Sequence, residues 1–410
     1  MENIDKSKRG SLFKFEVWIS LILLVVTLWS FTDTMREYMS GAEETTFAPI
    51  KFFMLSMVFI SFLILLMNNG RKKESNSFLW FAVSYAFVGM FSTLICGLYP
   101  MEEMPFKFVR LSYWVSVLII SYYSVLHLNT LKFHVFIVGV FLPVLFYFFL
   151  TVANTYQRYY DGLALNPVFY MSFLMPAILL IRKKTLKISG LLLIFAAILI
   201  SYKRSAFLAF VTSVPVYLYA RNAISMSAKL KKLALITFGG AFLLLLLFFT
   251  FNYIADTLDR DLTSRLESLT DDEGSGRLDK YIGYMGLLGS QSLSHWIIGG
   301  GANATNNTKY TQAHNDFIEV LYNFGLMGLM FYLLFLNQLA KLFFEMKKYK
   351  YIHFDAFAVS LVIFFWGSMF SILIVLPYWF LNLAFFWGWV IADFHNAKRF
   401  GDPTRITNPL

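Results

Sequence analysis

The sequence has little cysteine, which cross-links small secreted domains, and few charged residues, which cover the surface of soluble ones. Its single cysteine, Cys96, excludes a disulfide within the chain and a cysteine-rich metal site. Charged residues make up only 15% of the chain, whereas soluble domains carry about 25%. No internal repeat, long polar tail or separate soluble domain is recognisable. These absences exclude an ordinary soluble protein.

Apolar residues take the place of the missing charges. They make up 58% of the 410 residues, and aromatic residues alone make up 19%. Several apolar runs approach or exceed the ~18 residues that indicate a membrane-spanning helix. We therefore predict an all-α polytopic integral membrane protein, with residues 1–410 forming a single transmembrane domain. The charged N-terminus precedes an apolar run without a cleavage site, which favours a first span that stays in the protein.

Windows of bilayer length predict about twelve transmembrane helices. Pro215 in a short span, and Pro377 between the last two spans, leave the count open. The spans are expected near residues 15–32, 49–67, 77–96, 108–127, 133–153, 166–181, 186–202, 205–220, 232–253, 317–340, 355–376 and 378–394.

Lysine and arginine are distributed unevenly among the predicted loops. With a cytoplasmic N-terminus, most of the 35 Lys and Arg residues fall on the inner side, in stretches such as GRKKE, RKKTLK and KKYKYIH. Because cytoplasmic loops are enriched in these residues, we predict that both termini are cytoplasmic. The net charge of +10 then reflects topology and contact with anionic lipid headgroups, and not nucleic-acid binding.

One predicted outer loop is much longer than the others. It covers residues 254–316, between the ninth and tenth spans. Loops longer than ~12–15 residues are usually functional or disordered. Of the six histidines, only His295 and His314 fall on the outer side. We expect this loop to carry part of an active site.

His314 is the second residue of the stretch AHNDFIEVLYNFGLMG, at the start of the tenth span. Helical spacing places it on one face with Gly325 and Gly328, and the glycines would let a neighbouring helix approach closely. A neutral imidazole can accept a proton near neutral pH. The alternative is a histidine that caps the helix end together with Asn315.

A second stripe on the same helix holds carboxylate and amide side chains. Helical spacing rotates Asp316, Glu319 and Asn323 well away from His314. Any carboxylate that orients the imidazole is therefore expected to come from elsewhere in the chain.

Basic residues stand at two outer positions, against the general charge preference of outer loops. Lys203 and Arg204 close the seventh span in ISYKRSAFLAF, and Arg277 follows the Gly-Ser-Gly of GSGRLDKYIGYMGLL, where an amphipathic helix is predicted to start just after it. A charge at membrane depth is a functional candidate unless it merely snorkels from a helix end. Guanidinium groups suit bidentate binding of phosphate. With His314, they favour a transfer reaction whose leaving group is a phosphate or diphosphate.

These motifs resemble those of the O-antigen polymerase and O-antigen ligase superfamily of bacterial surface-polysaccharide assembly. The resemblance covers about residues 190–395. It consists of a basic pair that closes a span, a Gly-X-Arg in the long loop, and a His-Asn followed by Gly-X-X-Gly. The corresponding residues are Lys203-Arg204-Ser205, Gly274-Ser275-Gly276-Arg277, His314-Asn315, Gly325 and Gly328.

The resemblance implies a GT-C-like helical fold in the bacterial inner membrane, with the active site facing the periplasm. The donor would be a glycan on undecaprenyl diphosphate. Arg204 and Arg277 would bind the diphosphate, and Lys203 would support them. His314 would deprotonate the acceptor hydroxyl, which attacks the anomeric carbon. The remaining motif residues, Asn315, Gly325 and Gly328, would have supporting roles.

The resemblance also implies which other molecules take part. No metal and no cofactor are expected, and the adjacent acids of TDDEGSG are interpreted as solvated loop and not as a metal site. The expected partners are an undecaprenyl-diphosphate-linked oligosaccharide and membrane lipids, with a chain-length regulator protein as a further candidate. No nucleic acid is expected.

Polymerase and ligase share these motifs and differ in the acceptor, which is another lipid-linked repeat unit or the lipid A core. The compact, Gly/Asn-rich stretch from Arg277 to His314 favours the polymerase, since ligases of the superfamily insert more helix there.

A lipid-linked oligosaccharide flippase would also have about twelve spans, but it would more often show ionisable residues in mid-membrane. A different GT-C enzyme would place a catalytic acid in the first outer loop, where Asp33, Glu37, Glu43 and Glu44 lack a distinctive spacing.

Overall fold

The described part of the chain is helical. The structure is a computed structural model that describes residues 48–68, 76–97, 99–101, 104–128, 145–146, 148–149, 168–181, 183–201, 203–221, 277–374, 380–402 and 404–406. These residues include no strand, and the extended pairing found among them is an isolated antiparallel bridge between Tyr351 and Ile406.

The helices are numbered here in chain order. They are α1 (Ala48–Asn68), α2 (Ser77–Cys96), α3 (Met104–Leu128), α4 (Val168–Leu179), α5 (Lys184–Ser201), α6 (Arg204–Arg221), α7 (Arg277–Gly289), α8 (Leu293–Ile298), α9 (Asp316–Lys348), α10 (Phe354–Phe370) and α11 (Leu381–Phe400). A short 3-10 helix, Ala304–Asn307, lies between α8 and α9.

Several described helices are apolar enough to cross a bilayer. By length and composition, the candidates for complete spans are Ser77–Cys96, Lys107–Leu126 and Asp316–Lys348, and shorter apolar helices occur at Met54–Asn68, Val168–Leu179 and Phe354–Phe370. The chain is thus an all-helical membrane protein over its described residues. The spans predicted near 15–32 and 232–253, and most of 133–153, lie outside these residues.

Two described helices continue beyond the spans predicted for them. The tenth span was expected at 317–340, but α9 continues to Lys348, and the last span was expected to end at 394, but α11 continues to Phe400. In both cases the added turns contain lysine and include buried as well as exposed residues. A hydropathy window stops where charges begin, whereas the helix continues because one side of it still packs on its neighbours.

Close helix packing holds the bundle together. Gly388 lets α11 approach α3, because a Cβ atom at this position would lie 2.6 Å from the carbonyl oxygen of Leu118. Nearby, Ser121 of α3 donates a 2.8 Å hydrogen bond to the carbonyl of Phe385. Small residues and interhelical hydrogen bonds are the usual means of packing helices in membranes.

An aromatic core joins α3, α9, α10 and α11. The ring of Trp114 lies 5.5 Å from that of Phe335 and 5.2 Å from that of Phe380. Trp387 is fully buried, and its indole N–H donates to Ser360 of α10 at 2.8 Å. Helix α9, which follows the long loop, is therefore packed within this aromatic core.

Residues 277–315 cover one end of the bundle, which is called the loop face below. Cys96 at the end of α2 donates to the carbonyl of Gly299 at 3.2 Å. Tyr281 donates to the carbonyl of Met369, near the end of α10, at 3.3 Å. The start of α9 lies at the same end. The opposite face carries the end of α9 and the end of α11, which are joined by a 3.4 Å ion pair between Lys398 and Glu345.

Candidate active site

The described part of the long loop, residues 277–315, folds back on α9. Residues 254–276 lie outside the described part, and α7 starts at Arg277, as the sequence predicts for an amphipathic helix there. Tyr284 of α7 is fully buried and hydrogen-bonds to Thr308 at 2.8 Å and to the carbonyl of Thr305 at 3.1 Å. Its ring also packs against Tyr322 of α9. Helix α7 therefore packs residues 305–311 against the start of α9.

A break in α9 at Gly325 receives the loop backbone. Gly325 has φ +66° and ψ −168°, which is not helical. The amides of Gly300 and Gly301 donate to the carbonyls of Tyr322 and Asn323, at 3.0 and 2.7 Å. A Cβ atom on Gly325 would lie 2.4 Å from the carbonyl oxygen of Ile297. Only glycine allows both the positive φ and this approach.

This geometry shows what approaches the two glycines. The element that approaches Gly325 is the end of the short helix α8, at Ile297, together with Gly299, the C-cap of that helix. At Gly328, a Cβ atom would meet the side chain of Phe324 in the same helix. Because the helical repeat is interrupted at Gly325, spacing across it does not define a common face with His314.

His314 lies in a left-handed turn immediately before α9. Its φ is +54°, a conformation that is uncommon for residues other than glycine, although histidine is among those enriched there. The side chain is half-buried. Asn315 caps α9 by accepting the amides of Phe317 and Ile318 at 3.0 and 3.2 Å. The capping role that the sequence allowed for His314 thus belongs to the Asn315 side chain.

Three basic side chains act electrostatically on His314. Burial, followed by the charges of Lys280, Arg277 and Lys203, lowers the pKa of His314 to about 4. Lys280 donates to the carbonyl of Gln312 at 3.3 Å, which holds its ammonium group beside the turn. Like charges disfavour the imidazolium form, so the imidazole is neutral at physiological pH.

Lys203 and Arg277 come from different parts of the chain and are brought near each other. Burial, and then the charge of Arg277, lowers the pKa of Lys203 to about 8. The Lys203 ammonium lies 5.6 Å from the ring centre of Phe169. The Arg277 guanidinium lies 5.5 Å from that of Phe370. Both cations therefore sit over aromatic rings at the loop face, next to His314.

Arg204 is placed only in part. It is the first residue of α6, so its backbone lies at the loop face beside Lys203. Its side chain lies outside the described atoms. The predicted site residues Lys203, Arg277, His314 and Asn315 therefore meet at one end of the bundle, and the backbone of Arg204 meets them there.

Asp316 ties the end of α10 to the start of α9. It is fully buried, and its carboxylate accepts Ser368 at 2.7 Å and the amides of Leu373 and Ile374 at 2.8 and 3.2 Å. This fixes the turn beside Phe370, the residue under Arg277.

Sequence reasoning missed two residues of this site, Lys280 and Glu319. Lys280 lies three residues after Arg277, so helical spacing could have placed both on one side of α7. Glu319 was assigned to a stripe that points away from His314, but its carboxylate accepts the backbone amides of Ala313 and His314. The capping box, in which an acid at the third helical position bonds the N-cap amide, does not predict these bonds, because Glu319 is the fourth residue of α9 and its partners precede the N-cap.

Among the described residues, no group of three or more His, Cys, Asp or Glu side chains is arranged to hold a metal ion. The acids of TDDEGSG lie outside that part of the chain.

The comparison with known families bears on this same region. Residues 189–333 match the O-antigen ligase family. The matched segment contains Lys203, Arg204, Arg277, His314 and Gly325, and it confirms the resemblance to the O-antigen ligase and polymerase superfamily for this part of the chain. The match supports a role in surface-polysaccharide polymerisation or ligation. No protein of curated function matches the chain.

Proposed function

We propose that the chain is a surface-polysaccharide polymerase that transfers a glycan from an undecaprenyl-diphosphate donor to a sugar hydroxyl of another lipid-linked repeat unit, on the periplasmic side of the inner membrane. The observation that carries the proposal is a half-buried imidazole among Lys280, Arg277 and Lys203, at the end of an apolar helical bundle. A lipid-linked anion would reach such a site with its chain in the bilayer and its diphosphate among the cations.

In this reaction His314 takes the proton from the acceptor hydroxyl. The oxygen attacks the anomeric carbon of the donor, and the bond from that carbon to the diphosphate oxygen breaks. The diphosphate leaves with the electron pair, and Arg204 and Arg277 stabilise its charge. Preorganised donors of this kind contribute ~3–4 kcal/mol each to lowering a barrier.

The cations also provide a way for the donor to activate the base. General bases work best when their pKa is close to the working pH. A pKa of about 4 makes His314 a weak base before the donor binds. A bound diphosphate places negative charge among the same cations and offsets their repulsion of the imidazolium. The pKa of His314 then rises toward its ordinary value when the donor is present.

The alternative acceptor is the lipid A core, which would make the protein an O-antigen ligase. The family match favours this alternative, because the matched family is described as O-antigen ligase. The compact loop favours the polymerase: between Arg277 and His314 it forms only α7, the six-residue α8 and one 3-10 turn.

Purified protein given only undecaprenyl-diphosphate repeat units distinguishes the two. We expect a ladder of longer lipid-linked glycans, resolved by electrophoresis or mass spectrometry. A ligase would leave the units unchanged until lipid A core is added. Absence of product in both reactions, from protein that is folded and membrane-inserted, would contradict both enzymes and favour a flippase.

A further inference from the structure

Glu319 is a buried acid that the proposed chemistry does not use. It is 1% exposed, in the first turn of α9. One carboxylate oxygen accepts Thr305 at 2.6 Å and Asn323 at 3.2 Å. The carboxylate also accepts the backbone amides of Ala313 and His314. None of these partners carries a charge.

These bonds connect three segments that are separate in sequence. Thr305 belongs to the 3-10 helix, Ala313 and His314 form the turn before α9, and Asn323 lies one turn further along α9. The Asn323 side chain extends the network by accepting the amide of Thr305 at 3.1 Å. Glu319 therefore sits at the junction of the loop, the turn and the helix.

The turn at His314 requires such support. A left-handed backbone at a non-glycine residue is sparsely populated, and it persists when the surrounding structure holds it in place. The bonds to Glu319 hold the turn at its own backbone. The charged groups that act on the ring are Lys280 and Arg277 from α7 and Lys203 from the α5–α6 turn.

We propose that Glu319 is a positioning residue for His314: by holding the amides of Ala313 and His314, and by tying the loop to α9 through Thr305, it presents the imidazole to the cation cluster. This inference rests on the proposed function, because it assigns the turn a catalytic purpose. In this role Glu319 acts on the backbone of the turn and transfers no proton.

The decisive measurement is the pKa of His314, determined without any glycan transfer. Carbethoxylation of His314 by diethylpyrocarbonate, quantified by peptide mass spectrometry over a range of pH, reports the pKa of this side chain in the intact protein. In Glu319→Ala, we expect the midpoint to rise toward that of an exposed histidine, since a loosened turn admits water and moves the ring away from the cations. In parallel, kcat should fall by up to ~10²-fold, the cost of misplacing a reacting group, with KM for the donor little changed.

Matched variants separate positioning from general destabilisation. Glu319→Gln loses the bond from the Asn323 side chain but keeps a carbonyl oxygen for the two amides and an amide group that can donate to Thr305. It should therefore retain most of the native midpoint and kcat. Asp393→Asn removes a buried carboxylate at the opposite face and should leave the His314 midpoint unchanged. Should Glu319→Ala fail to accumulate, Glu319→Asp, which is one methylene too short to bridge the turn and Thr305, carries the same expectation.

A double-mutant comparison completes the test. If Glu319 acts through His314, Glu319→Ala should cause little further loss of kcat in a His314→Ala background. An unchanged His314 midpoint in the Glu319 variants, or an equal loss of kcat in both backgrounds, would overturn the positioning role. A shifted midpoint in a protein that transfers no glycan would keep the positioning role and refute the proposed function.

Discussion

Glu319 at the loop face and Asp393 at the opposite face are both buried carboxylates, yet they have different partners. Asp393 binds the guanidinium of Arg405 at 2.5 Å and the hydroxyl of Tyr351 at 2.6 Å. Glu319 is bound by uncharged amides and hydroxyls. At the opposite face a carboxylate therefore neutralises a cation and fixes the C-terminal segment, whereas at the loop face the carboxylate leaves the cations to act on His314.

This difference shows how the two ends of one bundle use the same residue types. Arg405 also lies 3.3 Å from Asp402, so its charge is compensated locally. At the loop face, Lys280, Arg277 and Lys203 all lower the pKa of one histidine. A concentration of positive charge around one side chain favours the approach of an oppositely charged ligand.

The largest expected effect concerns which side of the membrane each face occupies. In a Cys96→Ser background, Asn307→Cys at the loop face should react fully with an impermeant maleimide in cells with a permeabilised outer membrane. Lys348→Cys at the opposite face should react only after the inner membrane is lysed. Both positions are exposed, so accessibility reports sidedness. The reverse pattern would move the loop face to the cytoplasm and contradict the proposed periplasmic reaction.

The next effect is the loss of the base. His314→Ala should reduce kcat by ~10²–10⁴-fold, the contribution of general acid–base catalysis, while donor binding through the cations remains. His314→Gln keeps a hydrogen-bonding side chain without an effective base and should be nearly as inactive. Turnover of a lipid-diphosphate donor and a separate binding assay measure the two properties. An active Gln variant with an unchanged pH profile would reduce His314 to a structural residue of the turn.

Removal of a diphosphate-binding cation should have a somewhat smaller effect. Arg277→Ala and Arg204→Ala are each expected to lower kcat by ~10²–10³-fold, as the loss of one preorganised donor does. Lysine should restore only part of this, because a point charge does not reproduce the guanidinium fork. Lys398→Ala at the opposite face is the matched control and should retain turnover. Near-normal activity in either arginine variant would make that residue a membrane-surface anchor.

The smallest expected effect is a shift in pH dependence. Protonation of His314 inactivates the base, so the rate should rise with pH through the pKa of this group. The pH midpoint of the kcat/KM profile, which reports the free enzyme, should lie well below 6.5, the ordinary pKa of histidine, and the midpoint of the kcat profile should lie higher because the bound diphosphate offsets the cations. Lys280→Met removes a like charge and should raise the midpoint of kcat/KM, whereas Lys398→Met should not. Equal midpoints for kcat and kcat/KM would contradict activation by the donor.

Much of the architecture followed from local sequence patterns. Apolar runs of bilayer length predicted the positions of α1 to α6 and α9 to α11, and the flexible Gly-Ser-Gly predicted that a helix starts close to Arg277. The motif residues Lys203, Arg277 and His314 were expected at one face from the alternation of charged loops. These properties depend on composition and on spacing along the chain, so a single sequence carries them.

The sequence by itself determined a helical membrane protein with basic groups and one histidine around a long loop. Only the tertiary structure decided that Gly325 breaks α9 to receive the loop, that Lys280 joins the cations, and that Glu319 holds the turn of His314. Helical periodicity describes which residues share a side of an unbroken helix. It contains no information about a break caused by another segment, or about bonds from a side chain to a backbone that folds back on it. Those depend on packing between residues that are distant along the chain, and packing exists only in the folded state.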